Sequence, residues 1–133
     1  MNWKLIFQLS IFGLIMAFGT VSLIPQNVEP AFWLVIFVFS AAVIAKACTE
    51  RYFLYGLYTG LLNCIWITAV HVVFFKTYIA GHKQMDATIS DMPVSFAIHP
   101  RMAMAIAGLG LGIISAIILG LFAYIASKII RKE

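Results

Sequence analysis

Three histidines, five acidic residues and two cysteines are the side chains best equipped to bind a metal, carry a proton or attack a substrate. His71, His82 and His99 fall in one stretch of the chain, together with Asp86, Asp91, Met85 and Met92. Imidazole with carboxylate is a donor set for zinc and similar metals, yet the intervals between these histidines match no metal-ligand signature. Haem ligation would have only the pair His71 and His99 to draw on. No metal, haem or other cofactor is expected. Cys48 and Cys64 sit at different depths of neighbouring helices and form no CxxC pair, so neither a disulfide nor thiol exchange is expected. No serine or cysteine nucleophile has a histidine and an acid at matching depth, which argues against an enzyme.

The elements that carry these residues are apolar helices. Of the 133 residues, 63% are hydrophobic and 11% charged, and the mean hydropathy is +1.01, far from the composition of a soluble domain. Four apolar runs, 5–24, 31–49, 52–75 and 102–127, are each long enough to cross a hydrocarbon core of about 30 Å. Only Lys46 interrupts them, and it lies near a helix end from which it can snorkel to the headgroups. No acidic residue falls inside any run, which removes the carboxylate that usually couples a small transporter to protons. The expected fold is therefore all-α, a single polytopic domain over 1–133 with four transmembrane helices. Met1-Asn2-Trp3-Lys4 followed by an apolar run and Ala17-Phe18-Gly19 imitates a secretory signal, but the run continues through Val21 to Ile24, and a retained helix is expected.

Pro25 ends the first run and Pro30 opens the second. So short a link predicts that helices one and two lie antiparallel and adjacent, and the loop 76–101 joins three and four into a second antiparallel hairpin. Trp33, Tyr52, Tyr55 and Tyr78 are expected as interfacial aromatics. Lys4, Lys46, Arg51, Lys128, Arg131 and Lys132 gather at one set of helix ends, against Lys76, Lys83 and Arg101 at the other. The positive-inside rule then puts both termini in the cytoplasm and the loop 76–101 outside. The net charge of +4 is a topology signal, since the cations are scattered singly and no nucleic-acid stripe forms.

Small residues recur every fourth position: Gly56 and Gly60 in the third run, then Gly108, Gly112, Ala116 and Gly120 in the fourth, with Gly13 and Ala17 in the first. In lipid, where hydrophobic burial cannot drive helices together, this spacing lets backbones approach closely, either within the chain or between chains. At 100° per residue, Gly56, Gly60, Asn63, Cys64, Ile67 and His71 share one face, expected to point inward, while Leu62, Ile65, Val72 and Val73 suit lipid. Asn63 and His71, with His99 at the start of the fourth helix, form a candidate polar site.

The sequence Tyr52-Phe53-Leu54-Tyr55-Gly56 opening the third run, and Gly108-Leu109-Gly110-Leu111-Gly112-Ile113-Ile114-Ser115 in a fourth that ends in Lys-Ile-Ile-Arg-Lys, resembles an uncharacterised family of small four-helix bacterial membrane proteins of Bacteroidetes type. The similarity is strongest over residues 50–133. It implies a bacterial inner-membrane location and carries over no functional residue. The expected role is that of a non-enzymatic membrane protein, packing through its glycine faces as a subunit or accessory of a larger complex or with itself. The second expectation is a small oligomeric channel or facilitator with Asn63 and His71 in the conduction path and Thr59, Thr68 and Ser115 available to line it.

Orientation is testable directly. With cysteines introduced at Gln84 or Lys132, a membrane-impermeant thiol reagent on intact cells should label Gln84→Cys and leave Lys132→Cys untouched. The reverse pattern would invert the topology.

Overall fold

The computed structural model describes residues 2–24, 27–81, 87, 90–91 and 99–130, and these residues are helical with no strand among them. The helices are α1 (Trp3–Ser22), α2 (Glu29–Ala47), α3 (Tyr52–Val73), α4 (Phe75–Gly81) and α5 (Pro100–Ile129). All except α4 are long and apolar enough to cross a membrane. The first two helices start about two residues before the limits expected from the sequence. The fourth long helix likewise starts two residues early, because Pro100 fits an N-terminal helical position, where a missing N–H leaves no bond unmade. His82, Met85, Asp86, Met92, Lys83, Arg131 and Lys132 lie outside the described residues.

Local chemistry sets each boundary. The Asn2 side-chain oxygen accepts the Leu5 N–H at 3.2 Å, which caps α1. The Asn2 main-chain N–H donates to the Tyr55 hydroxyl at 2.7 Å, tying that cap to the first turn of α3. Between α2 and α3 the chain reverses at Arg51, whose φ of 57° and ψ of 34° are left-handed. For a residue with a Cβ this conformation costs on the order of 1–2 kcal/mol, and the exposed contact of Arg51 with Glu50 at 3.8 Å offsets little of it. α3 ends at Phe74, and the chain bends there into α4, so the expected loop 76–101 begins as a helix.

The contact between α3 and α5 is the most extensive in the bundle. The two helices run antiparallel in a fixed register: Gly56 faces Gly120, Gly60 faces Ala116, Cys64 faces Gly112 and Thr68 faces Gly108. A Cβ on Gly56 would stand 2.7 Å from both the Gly120 Cα and the Leu119 carbonyl oxygen. One on Gly60 would overlap Ala116, one on Gly112 would overlap the Cys64 side chain, and one on Gly120 would come within 3.0 Å of the Phe53 carbonyl oxygen. The Cys64 thiol donates across the seam to the Gly108 carbonyl at 3.6 Å. Of the small residues noted in the sequence, Gly56, Gly60, Gly108, Gly112, Ala116 and Gly120 are thus brought together within one chain. Gly110 points away from the seam, with no atom within 4 Å of the space its Cβ would fill.

α1 packs chiefly on α3 and runs parallel to it: Trp3 meets Tyr58, the Trp66 indole N–H donates to Ser10 Oγ at 3.2 Å, and Gly13 accommodates the Asn63 side chain. α2 packs chiefly on α5, with Phe37 edge-on to Phe122 at 6.1 Å. The short link between α1 and α2 therefore does not make them each other's main neighbour. Their contact is through bulky rings, Phe12 on Phe39 at 5.4 Å, whereas α1 offers Gly13 and Ala17 to α3. At the end holding the α1 cap, Ile6, Leu9, Ala41, Ile44, Cys48, Tyr55 and Ala123 close the interior.

Two groups of residues depart from their expected surroundings. Tyr55 and Tyr78 are buried, not interfacial, because each fills the space where helices converge at one end of the bundle. Leu62 and Val72 are partly covered, the first by the core at the α1 cap and the second by Tyr78, Ala103 and Met104, while Ile65 and Val73 are exposed.

Gly112→Leu is expected to lower the melting temperature in detergent by the equivalent of about 1–3 kcal/mol, the usual cost of overpacking a tight contact. Ile65→Val, on the exposed face of α3, is the control and should change it little. Equal melting temperatures would mean that α5 does not rely on this face.

Candidate functional site

The interior of the bundle carries more polar groups than packing requires. Ser40 on α2, and Thr59 and Asn63 one turn apart on α3, are buried, and neither hydroxyl nor either end of the Asn63 amide has a hydrogen-bond partner among the described residues. Each such group is held at a cost of about 1–3 kcal/mol. The amide lies against Gly13, so α1 gives it room and no partner.

Eight residues on, about 12 Å along the helix by its rise of 1.5 Å per residue, His71 is buried under α4. Its Nε2 lies 2.8 Å from Thr20 Oγ1. The threonine has one hydroxyl proton, directed back to the Met16 carbonyl at 2.7 Å with Ala17 O as a weaker alternative at 3.3 Å. With that proton directed to Met16 O, Thr20 accepts from an Nε2-protonated His71; in the other tautomer Thr20 donates to Nε2. The imidazole stacks on the Tyr78 ring, with centroids 3.9 Å apart and planes tilted by 24°. Tyr78 reaches this position because the break at Phe74 turns α4 back over the end of α3, where Ala103 and Met104 of α5 complete its cover. Burial first, and then the carboxylate of Glu29 at the start of α2, push the Tyr78 phenol up to about 12. Thr20, His71, Tyr78 and Glu29 thus join α1, α3, α4 and α2 at one end.

His99 does not belong to this group. It is exposed at the cap of α5 and lines a separate cavity with Phe75, Lys76, Pro100, Arg101 and Met102. Among the described residues no three His, Cys, Asp or Glu side chains converge as metal ligands. Of the candidate polar residues, Asn63 and His71 share the inward face of α3, and His99 stands apart. No known protein family, curated protein or solved structure matches the chain.

Sequence reasoning missed Thr20 and Tyr78 as neighbours of His71, and Glu29 as the charge that acts on Tyr78. Thr20 had a signal, since it falls on the same helical face as Gly13 and Ala17. Tyr78 had none, because its position depends on the bend at Phe74.

The raised Tyr78 value makes stability fall at alkaline pH. An unfolded tyrosine ionises near 10.0 and the folded one near 12, so between these values the unfolded chain releases a proton that the folded chain keeps. The stabilisation is complete below pH 10.0 and is lost as the pH climbs to 12. Melting curves in detergent across that window should show a smaller alkaline loss for Tyr78→Phe than for the parent. Identical losses would remove Tyr78 as the source.

Proposed function

We propose that this is a non-enzymatic integral membrane protein, crossing the bacterial inner membrane as two antiparallel helical hairpins with cytoplasmic termini. It serves as a subunit or accessory of a larger membrane complex, or assembles with itself. The observation that carries this reading is the α3–α5 seam. It commits the glycine faces to holding one chain together, and so leaves α2 and α5, the least covered of the long helices, to meet other proteins or lipid. Gly110 lies on that outward side of α5, where it would permit close approach by another helix.

A small channel is the second reading, and the buried polar groups of Ser40, Thr59 and Asn63, with Thr20 and His71 beyond them, favour it. Against it, Ile6, Leu9, Ile44, Cys48 and Tyr55 close the interior at one end. Conduction would require that plug to move.

Purification in mild detergent at native expression is expected to recover the protein in an assembly larger than one chain. Gly110→Leu should loosen that assembly without lowering the melting temperature of the chain itself. Recovery as a bare single chain from both parent and variant would overturn the proposal. In reconstituted vesicles, an ion flux that changes between about pH 5 and 8, the range in which histidine titrates, and that His71→Gln abolishes, would put the channel in its place.

A further inference from the structure

An open cavity beside α4 combines cationic and apolar side chains. It is an open cleft of about 630 Å³ between the first turn of α4 and the first turn of α5, accessible from outside the bundle as a lipid headgroup requires. Lys76 and Arg101 line it from the two sides, joined by the His99 imidazole, and neither cation has a carboxylate partner among the described residues. Phe75, Pro100 and Met102 supply the apolar part of the lining.

Two features separate this from an ordinary solvated surface. In the proposed orientation these cations stand on the outer side, where the positive-inside rule depletes Lys and Arg, so they weaken the topology signal they would strengthen elsewhere. They also come from segments far apart in sequence, and the bend at Phe74 gathers them over one concave surface. An Arg guanidinium grips phosphate oxygens through two parallel N–H bonds, and a Lys ammonium adds a point charge. Apolar side chains lining the same cavity suit the first methylenes of an acyl chain.

We propose that this cavity binds the phosphate group of an anionic phospholipid, headgroup on Lys76 and Arg101 and glycerol backbone against Phe75 and Met102. The assignment rests on the chain being embedded in a bilayer; it does not depend on whether the chain joins a larger complex. Free inorganic phosphate offers the same oxygens without the apolar part, and the two sources are separable.

The test uses the full-length protein, delipidated in a non-ionic detergent, with its membrane insertion first verified by resistance to carbonate extraction. Failure at that step would refute the membrane reading; the titrations below address the lipid site alone. Phosphatidylglycerol in mixed micelles should raise the melting temperature, and native mass spectrometry should retain one lipid per chain. Phosphatidylcholine should bind more weakly, and inorganic phosphate at the same concentration should not shift the melting temperature. Lys76→Gln with Arg101→Gln should weaken phosphatidylglycerol binding by about tenfold or more, as expected on losing two charge-assisted contacts. Both residues are exposed, so the lipid-free melting temperature should stay put. Lys4→Gln, at the opposite end of the bundle, controls for net charge and should bind as the parent does. Equal response to phosphatidylcholine, an equal shift with inorganic phosphate, or unchanged binding by the double variant would each overturn the proposal. If the double variant melts early without lipid, Arg101→Lys takes its place: retained charge without the planar fork should still reduce binding, and parent-like binding would count against the site.

Discussion

The closeness of two backbones governs this structure. A helix of thirty residues, α5, lies along α3 so tightly that a methyl group at Gly56 or Gly120 would meet main-chain atoms of the other helix. Lipid tails are as apolar as leucine, so nothing is gained by hiding leucines from them. Attraction must come from many short van der Waals contacts and from weak C–H···O and S–H···O bonds, all of which vanish within an ångström or so of separation. Small residues at every fourth position on both helices provide that proximity over four successive levels. The Cys64 thiol fills the level where Gly112 leaves room. α1 then packs on the other side of α3 and α2 on α5, while large apolar side chains cover the outside.

Two tyrosines complete the ends that this seam leaves open. Tyr55 closes one end, its hydroxyl accepting from the Asn2 main chain and its ring lying among Ile6, Leu9 and Ile44. Tyr78 closes the other over His71. Both combine a large apolar ring with a polar tip, which suits a position where the dry interior meets a polar boundary. Between these closures the unpartnered hydroxyls and amide are insulated from solvent, so their polarity acts at low local dielectric.

Much of this was legible in the sequence, and the parts that were not share a physical cause. Length and apolarity alone mark four long helices, with limits a few residues from those observed, because a span is a local property. The four-residue spacing of Gly56 and Gly60, and of Gly108 through Gly120, is equally local. Which glycine faces which is not, since register depends on both surfaces at once. Asn63 and His71 read correctly as inward-facing on α3, yet the threonine that hydrogen-bonds His71 belongs to another helix. Tyr78 misleads for a further reason: an aromatic just past an apolar run reads as interfacial until the chain bends back at Phe74. Leu62 and Val72 read as lipid-facing because face assignment assumes a straight helix with a partner on one side only.

The pairing of α1 with α3 and of α2 with α5 also bears on the order of synthesis. Each of the first two helices emerges well before the neighbour it depends on. Between the end of α2 at Ala47 and the start of α5 at Pro100, the ribosome must add more than fifty residues, several seconds of work at about 5–20 residues per second. During that interval α2 has only its limited contacts with α1 and α3 to hold it. If the chain is inserted as proposed, α2 has to persist in the bilayer on its own hydrophobicity, which its uncharged run from Ala31 to Ala45 provides. The latest of these four long helices to emerge is the one that fixes the other three, so their assembly has the character of a latch closed by α5.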